Sequence, residues 1–390
     1  MTNSLRHGVS MAVAGVLVLG ALGHAQTFTT LYNFTGGSDG GYPYAGVIQD
    51  PTGNLYGTTE CGGDLNCNDG GGVVYKVNTA GTGTVLHAFT GYQSDGANTD
   101  APVVRDKAGN IYGTTSYGGA ANYGIVFKID TAGNETVLYS FTGSPDSCYP
   151  NQGLVTDKAG NLYGTTTRCG ASGYGTIFKV DSAGNFALLH SFTGGDGAYP
   201  AGGHLTMDRS GNLYGVADMG GVYDAGVLYE LSSNGTFTVL HSFGGASDGC
   251  YPSGSVTMDS AGSLYGTTTL CGSNGDGTIW KTSKKGKETI LHSFAGGTSD
   301  GCFPYAGVAR DSKGNLHGVT YTCGANNDGA LYKLSACRKL TLLHSFDHSD
   351  GNGPRGEVLW TDKGTSSAPP TAAAAAATER CGSTCPRQLS

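Results

Sequence analysis

Charge is scarce in this chain. Only 13% of its 390 residues are Asp, Glu, Lys or Arg, roughly half the usual share. The net charge is −8 and no cluster of Lys and Arg exceeds three residues. That argues against nucleic acid as a partner. Methionine is rare, at 5. Beyond the first 25 residues no apolar run is long enough to span a bilayer. An H-E-x-x-H motif, a P-loop and a D-x-D-x-D calcium spacing are all missing. Glycine, by contrast, is abundant at 68 residues. Each Gly costs about 1 kcal/mol in a helix, so a helical bundle is excluded. Gly has no period of three, so collagen is excluded too.

Residues 1–25 read as a secretory signal peptide. Arg6 and His7 give a short basic start, an apolar run follows from Val9 to Gly23, and Gly23-His24-Ala25 fits a small-x-Ala cleavage site. The expected mature chain starts at Gln26 and is exported to the periplasm, the cell surface or the medium. Its cysteines then meet an oxidising compartment.

The chain repeats itself. An L-x-x-F ending recurs at Phe34, Phe89, Phe141, Phe192, Phe243, Phe294 and Phe346, at intervals of 51 to 55 residues. Each unit opens with an Asp-Gly-rich link, such as Asp248-Gly249-Cys250-Tyr251-Pro252. A short apolar run ending in Asp follows, then G-N-L-Y-G-T-T, a Gly-rich loop, G-T-I-F-K-V and finally L-L-H-S-F. The four runs are rich in β-branched and aromatic residues and read as strands a, b, c and d. The a–b and c–d turns are tight hairpins. The longer b–c and d–a connections share the opposite face.

Four strands in about 50 residues is the size of a propeller blade. The expected fold is therefore all-β: a β-propeller of four-stranded blades over 26–363, with six complete blades and an incomplete seventh. A lone strand d (Phe28 to Phe34) precedes the six units, and a lone strand a (Gly356 to Asp362) follows them. Pairing these two would close the ring, with strands b and c of the seventh blade absent.

Residues 364–390 leave the repeat for Ser, Pro and a run of Ala. Read from the third base of each codon, Gly364 to Thr384 permit N-L-F-G-T-T-D-S-G-G, more Gly, and N-G-T-V-W-F-N-L. This is strand b, the loop and the start of strand c. The two key glycines fall at codons 367 and 378, 11 apart, as Gly164 and Gly175 are. The expectation is that a frameshift cut a seven-bladed chain short.

The repeat also sorts the 11 cysteines. Cys148 and Cys169 are 21 residues apart, as are Cys250 and Cys271, and Cys302 and Cys323. One slot precedes strand a and the other follows strand b, so each pair sits at adjacent hairpin ends and is expected to be bridged. In the second unit these slots read as Asn98 and Gly118. Cys61 and Cys67 flank an insertion and are expected to pair locally, leaving Cys337 over. No close Cys or His ligand pairs point to zinc.

The unit F-x-G-x-x-D-G-x-x-P…D-x-x-G-N-L-Y-G-T-T…G-T-x-F-K…L-H-S-F resembles the GloVer tandem repeat, over Thr27 to about Lys363. That resemblance implies an exported protein, usually with a C-terminal surface anchor, and no established activity.

Few residues look like a site. Asp39, Asp95, Asp196, Asp248, Asp300 and Asp350 precede Gly and read as turn residues. His87, His190, His241, His292 and His344 recur in strand d and read as structural, since ligands one blade apart do not converge. No metal or cofactor is expected. Tyr117, Tyr123, Tyr174 and Tyr223 lie in or beside the b–c loops, where exposed rings suit stacking on sugars. Catalysis would need residues that break the repeat: Glu60, Arg105, Arg168, His204, Asp218, Arg310 and Arg355. His204 and Asp218 are the one His–acid pair among them within a single unit. The sequence thus favours a non-catalytic exported protein that binds a carbohydrate or another surface protein on its long-loop face. The alternatives are an exported lyase or hydrolase at the channel mouth, with His204 and Asp218 as candidates, or a structural surface element.

Overall fold

The structure is a computed structural model that describes residues 28–63, 71–91, 95–200, 202–245 and 248–361. The expected signal peptide, Cys67 and the 364–390 tail lie outside the described residues. Among the described residues every regular element is a strand. Six four-stranded antiparallel sheets form a β-propeller, each in the order a-b-c-d. In the first blade these strands are Ile48–Gln49, Leu55–Thr59, Val73–Val77 and Gly83–Ala88. The outer pair has one register shift per blade, as between Val74 and Tyr75.

Three recurring devices explain why these residues build this unit. The Asp that ends strand a holds the a–b turn. Asp157 accepts from the N–H and side chain of Asn161 and from the hydroxyl of Tyr163. These donors hold its carboxyl below the usual carboxylate range, although burial opposes them. The Gly of Y-G-T-T makes room for the aromatic ring of strand c. A Cβ on Gly266 would stand 2.4 Å from the Trp280 ring, and one on Gly164 2.7 Å from Phe178. The strand d Phe then crosses between blades. Phe243 meets Trp280 of the next blade at 5.7 Å, and Phe141 meets Phe178 at 5.1 Å. These rings are fully buried, so the core lies in the seams between blades.

The strand d histidines and the Asp-Gly links are one device. His190 bonds Asp196 at 3.1 Å, His292 bonds Asp300 at 3.1 Å and His344 bonds Asp350 at 2.6 Å. Tyr32 and Tyr139 fill the same role toward Asp39 and Asp146. Each bond ties the outer strand to the link that leaves it.

The disulfides Cys148–Cys169, Cys250–Cys271 and Cys302–Cys323 are formed, each spanning 21 residues. Cys61 is also disulfide-bonded. Cys337 is exposed and belongs to none of those three bridges. Strand pairing sets Ala97 opposite Tyr117, as Cys148 is opposite Arg168, so Ala97 and not Asn98 holds the cysteine place in the second unit. Three bridges in one chain indicate an extracytoplasmic environment. No helix among the described residues is long and apolar enough to cross a membrane.

The two lone strands meet at the seventh position. Phe28 stacks on His344 at 4.0 Å with 7° between the planes, as Phe237 stacks on His190 within the ring at 3.8 Å and 3°. Phe34 packs on Tyr75, the first strand c aromatic, at 4.7 Å. Residues 28–34 therefore occupy the outer-strand place of a seventh blade. The 356–361 segment lies inside it, with the backbone of Glu357 against Gly46. Neither segment forms a continuous ladder among the described residues, because no b or c strand stands between them.

Candidate functional site at the channel mouth

The short inner strands surround the central channel, and two groups of side chains break its symmetry. The first lies inside. Glu357, from the lone inner segment, accepts the N–H of Ser255 at 2.5 Å through Oε1, and its Oε2 lies 3.7 Å from Nδ1 of His204. The Ser255 hydroxyl accepts the His204 N–H at 2.7 Å and stands 2.8 Å from Nδ1. Ser255 and Glu357 thus face the same ring nitrogen. A serine–histidine–acid relay needs them on opposite nitrogens, so this cluster lacks the geometry that activates a serine; it lines a cavity of about 270 Å³. Gly203, at φ +71°, leaves the room: a Cβ there would meet Oε1 of Glu357.

The second group forms the mouth on the long-loop face. Arg355 lies 5.2 Å from the ring of Tyr44, 5.2 Å from Tyr305 and 4.7 Å from Tyr321. Tyr305 and Tyr321 touch edge to face at 5.2 Å. The d–a links supply Tyr44, Tyr305 and Arg355, and Tyr321 follows strand b of the sixth blade, so the repeat itself brings them together. Beside the rings stand carboxyls. Burial raises Glu60, against the opposing pull of Arg355. Burial, with a smaller push from Glu60, raises Asp100 to about 7. This edge opens into a cavity of about 370 Å³ lined by Tyr44, Tyr321, Arg355 and Trp360 among others.

The expected site residues scatter. Tyr117 and Tyr223 are exposed, at 44% and 65%. Tyr123 and Tyr174 are half-buried, packed edge to face on Tyr149 and Tyr199. His204 and Asp218 share no hydrogen bond or ion pair among the described residues. Asp218 is raised to about 6 by burial alone. Arg105 and Arg310 lie over Tyr56 and Tyr265 and serve packing. Arg168 is exposed. Arg355 and Glu60 do reach one site. Glu357, Ser255, Tyr305 and Tyr321 were not singled out; the link position of Tyr44, Tyr305 and Arg355 also holds Asp100, Asn151 and Ser253, so it gave no consistent signal.

Two outer clusters also escaped the sequence. His87, Asp95 and Glu135 place ligand atoms within 4.8 Å of one another, as do His241, Asp248 and Glu288. The convergence expected to fail between histidines comes instead from a Glu of the next blade. Burial and the neighbouring Asp248 raise Glu288 to about 9, so at neutral pH it carries a proton toward that carboxylate.

Fold and site together define a disulfide-stapled β-propeller of tandem repeats with an aromatic, arginine-centred channel mouth. The chain belongs to the Gloeobacter/Verrucomicrobia repeat family, whose model matches residues 15–174 and 149–368. No curated protein matches it in sequence. Among solved structures it is similar to virginiamycin B lyase from Staphylococcus aureus, with a TM-score of 0.54 at 15% identity over 82% of this chain and 88% of the other. It is also similar to a putative 6-phosphogluconolactonase from Bacteroides uniformis, with a TM-score of 0.51 at 14% identity over 86% and 89%. At these identities the likeness concerns the fold.

Proposed function

We propose that this is an exported, non-catalytic protein that binds a carbohydrate on its long-loop face, with Tyr44, Tyr305, Tyr321 and Arg355 as the centre of the site. The observation that carries this reading is the three-tyrosine cluster around one guanidinium at the edge of a cavity. Tyrosine offers an apolar face to sugar C–H groups and a hydroxyl to their oxygens. Arg355 adds fixed donors for hydroxyls or a carboxylate. The ring scaffold and its disulfides hold these groups in place before binding, which lowers the ordering cost. Tyr117 and Tyr223 extend the same face. Export rests on the N-terminal segment and the oxidised cysteines. Binding to a glycan array, lost with Tyr321→Ala and Arg355→Ala, tests the reading.

A second reading, a lyase or hydrolase at the mouth, draws on Asp100 and Asp218. Their carboxyls are raised to about 7 and about 6, which suits proton transfer near neutral pH. Turnover of a glycan abolished by Asp100→Asn or Asp218→Asn supports it.

A further inference from the structure

We infer that the cavity beside the channel mouth is the seat of a seventh b–c hairpin, and that its occupant is the hairpin that the codons of Gly364 to Thr384 permit in the shifted reading frame. The inference bears on the carbohydrate reading, because Tyr44, Tyr321 and Arg355 line the same cavity; with the hairpin seated, a sugar is left the rim on the long-loop face.

Three features of the cavity, and one spacing within the hairpin itself, support the match. The first is an aromatic partner. Phe34, Phe89, Phe141, Phe192, Phe243 and Phe294 each pack on a strand c ring. Phe346 lines the cavity and among the described residues meets Phe28 and His344 instead. The shifted reading permits a Trp, three residues past the Gly at codon 378, as Trp280 lies three past Gly277.

The second is the glycine that such a ring requires. Gly266 faces Trp280 across the b–c pair, 14 residues on. The glycine at codon 367 and the new Trp keep that spacing.

The third is a proline. The Gly that opens strand c approaches a Pro of the next link, with a built Cβ 2.7 Å from Pro200 at Gly175 and 2.8 Å from Pro304 at Gly277. Pro43 lines the cavity, where the Gly at codon 378 would meet it.

The fourth is a carbonyl. The first Thr of Y-G-T-T donates to the next blade at Ala101, Gln152 and Ala306. Ala45 holds their place in the first unit and also lines the cavity. The shifted reading permits Thr at that strand b position. Residues 28–34 and 356–361 already supply the outer and inner walls.

The test compares two full chains, the 390-residue protein and one that continues past Asp362 in the shifted frame. The melting midpoint is expected to rise by several degrees in the second, and binding of an apolar fluorescent dye to fall several-fold. A third chain with Asp in place of the hairpin Trp is expected to lose both gains. Equal midpoints and equal dye binding in the first two chains overturn the inference. So does a stable dimer of the 390-residue protein whose dissociation exposes the dye site, which would make a second copy the occupant. Carbohydrate binding at the rim is measured separately, so a failure of either idea is distinguishable.

Discussion

The ring of Phe28 lies flat on that of His344, 4.0 Å away, and thereby joins the first described residue to the outer strand of the sixth blade. Phe186 makes the same stack on Tyr139 inside the ring, at 4.4 Å. The N-terminal strand thus closes the ring with the contact that joins successive blades. Phe28→Ala is expected to destabilise the protein by about 2 kcal/mol, the scale of one large apolar side chain removed from packing. Phe186→Ala is expected to have a comparable effect. Chemical denaturation of the two variants checks this. A neutral Phe28→Ala beside a destabilised Phe186→Ala would mean that the ring does not depend on this closure.

The three disulfides act one blade at a time. Each closes a loop of 21 residues, worth about 3 kcal/mol in the chain-entropy model. Replacing Cys250 and Cys271 together by Ser is expected to lower stability by about that amount and to leave the other two bridges intact. Non-reducing peptide mapping with denaturant melts reads both outcomes. Any peptide linking cysteines of different units contradicts the pairing.

Glu288 makes stability fall as pH rises. Its proton is held to about 9 in the folded chain, against about 4.3 when exposed. Between those values the folded state binds the extra proton. Its contribution is therefore full below the unfolded value and is lost as pH climbs through about 9. Glu288→Gln keeps a donor toward Asp248 without the titration. The variant is expected to show a shallower decline of melting midpoint between pH 6 and 9, with the wild type as reference. Identical slopes would show that Glu288 titrates as an ordinary acid.

How legible all this was depends on the kind of residue. The blade was readable because its devices are local and repeated. Asp157, Asn161 and Tyr163 lie within one turn, and Gly266 and Trp280 within one hairpin. The disulfides were readable because units hold both cysteines or neither. The mouth was only half readable. Arg355 and Glu60 stood out as departures from the repeat, but Tyr305 and Tyr321 looked like two more tyrosines among 22. Their meeting depends on the sixth blade lying next to the lone inner segment, which no local pattern states. Glu357 escaped for the same reason, since its partner Ser255 is 102 residues away. His204 and Asp218 share a unit, but no hydrogen bond or ion pair joins them among the described residues. His204 precedes the inner strand Thr206–Met207, and Asp218 lies near the end of strand b, Leu213–Met219.

The central claim is that the tyrosine and arginine mouth binds a carbohydrate, and titration of one array-selected glycan into the mature chain tests it most directly. Arg355→Ala and Tyr321→Ala, each shown to melt as a folded propeller, are expected to weaken binding at least about tenfold, or about 1.4 kcal/mol. Tyr117→Ala and Tyr223→Ala are expected to weaken it less. Failure to bind any glycan, or binding that Arg355→Ala and Tyr321→Ala leave unchanged, would contradict the account.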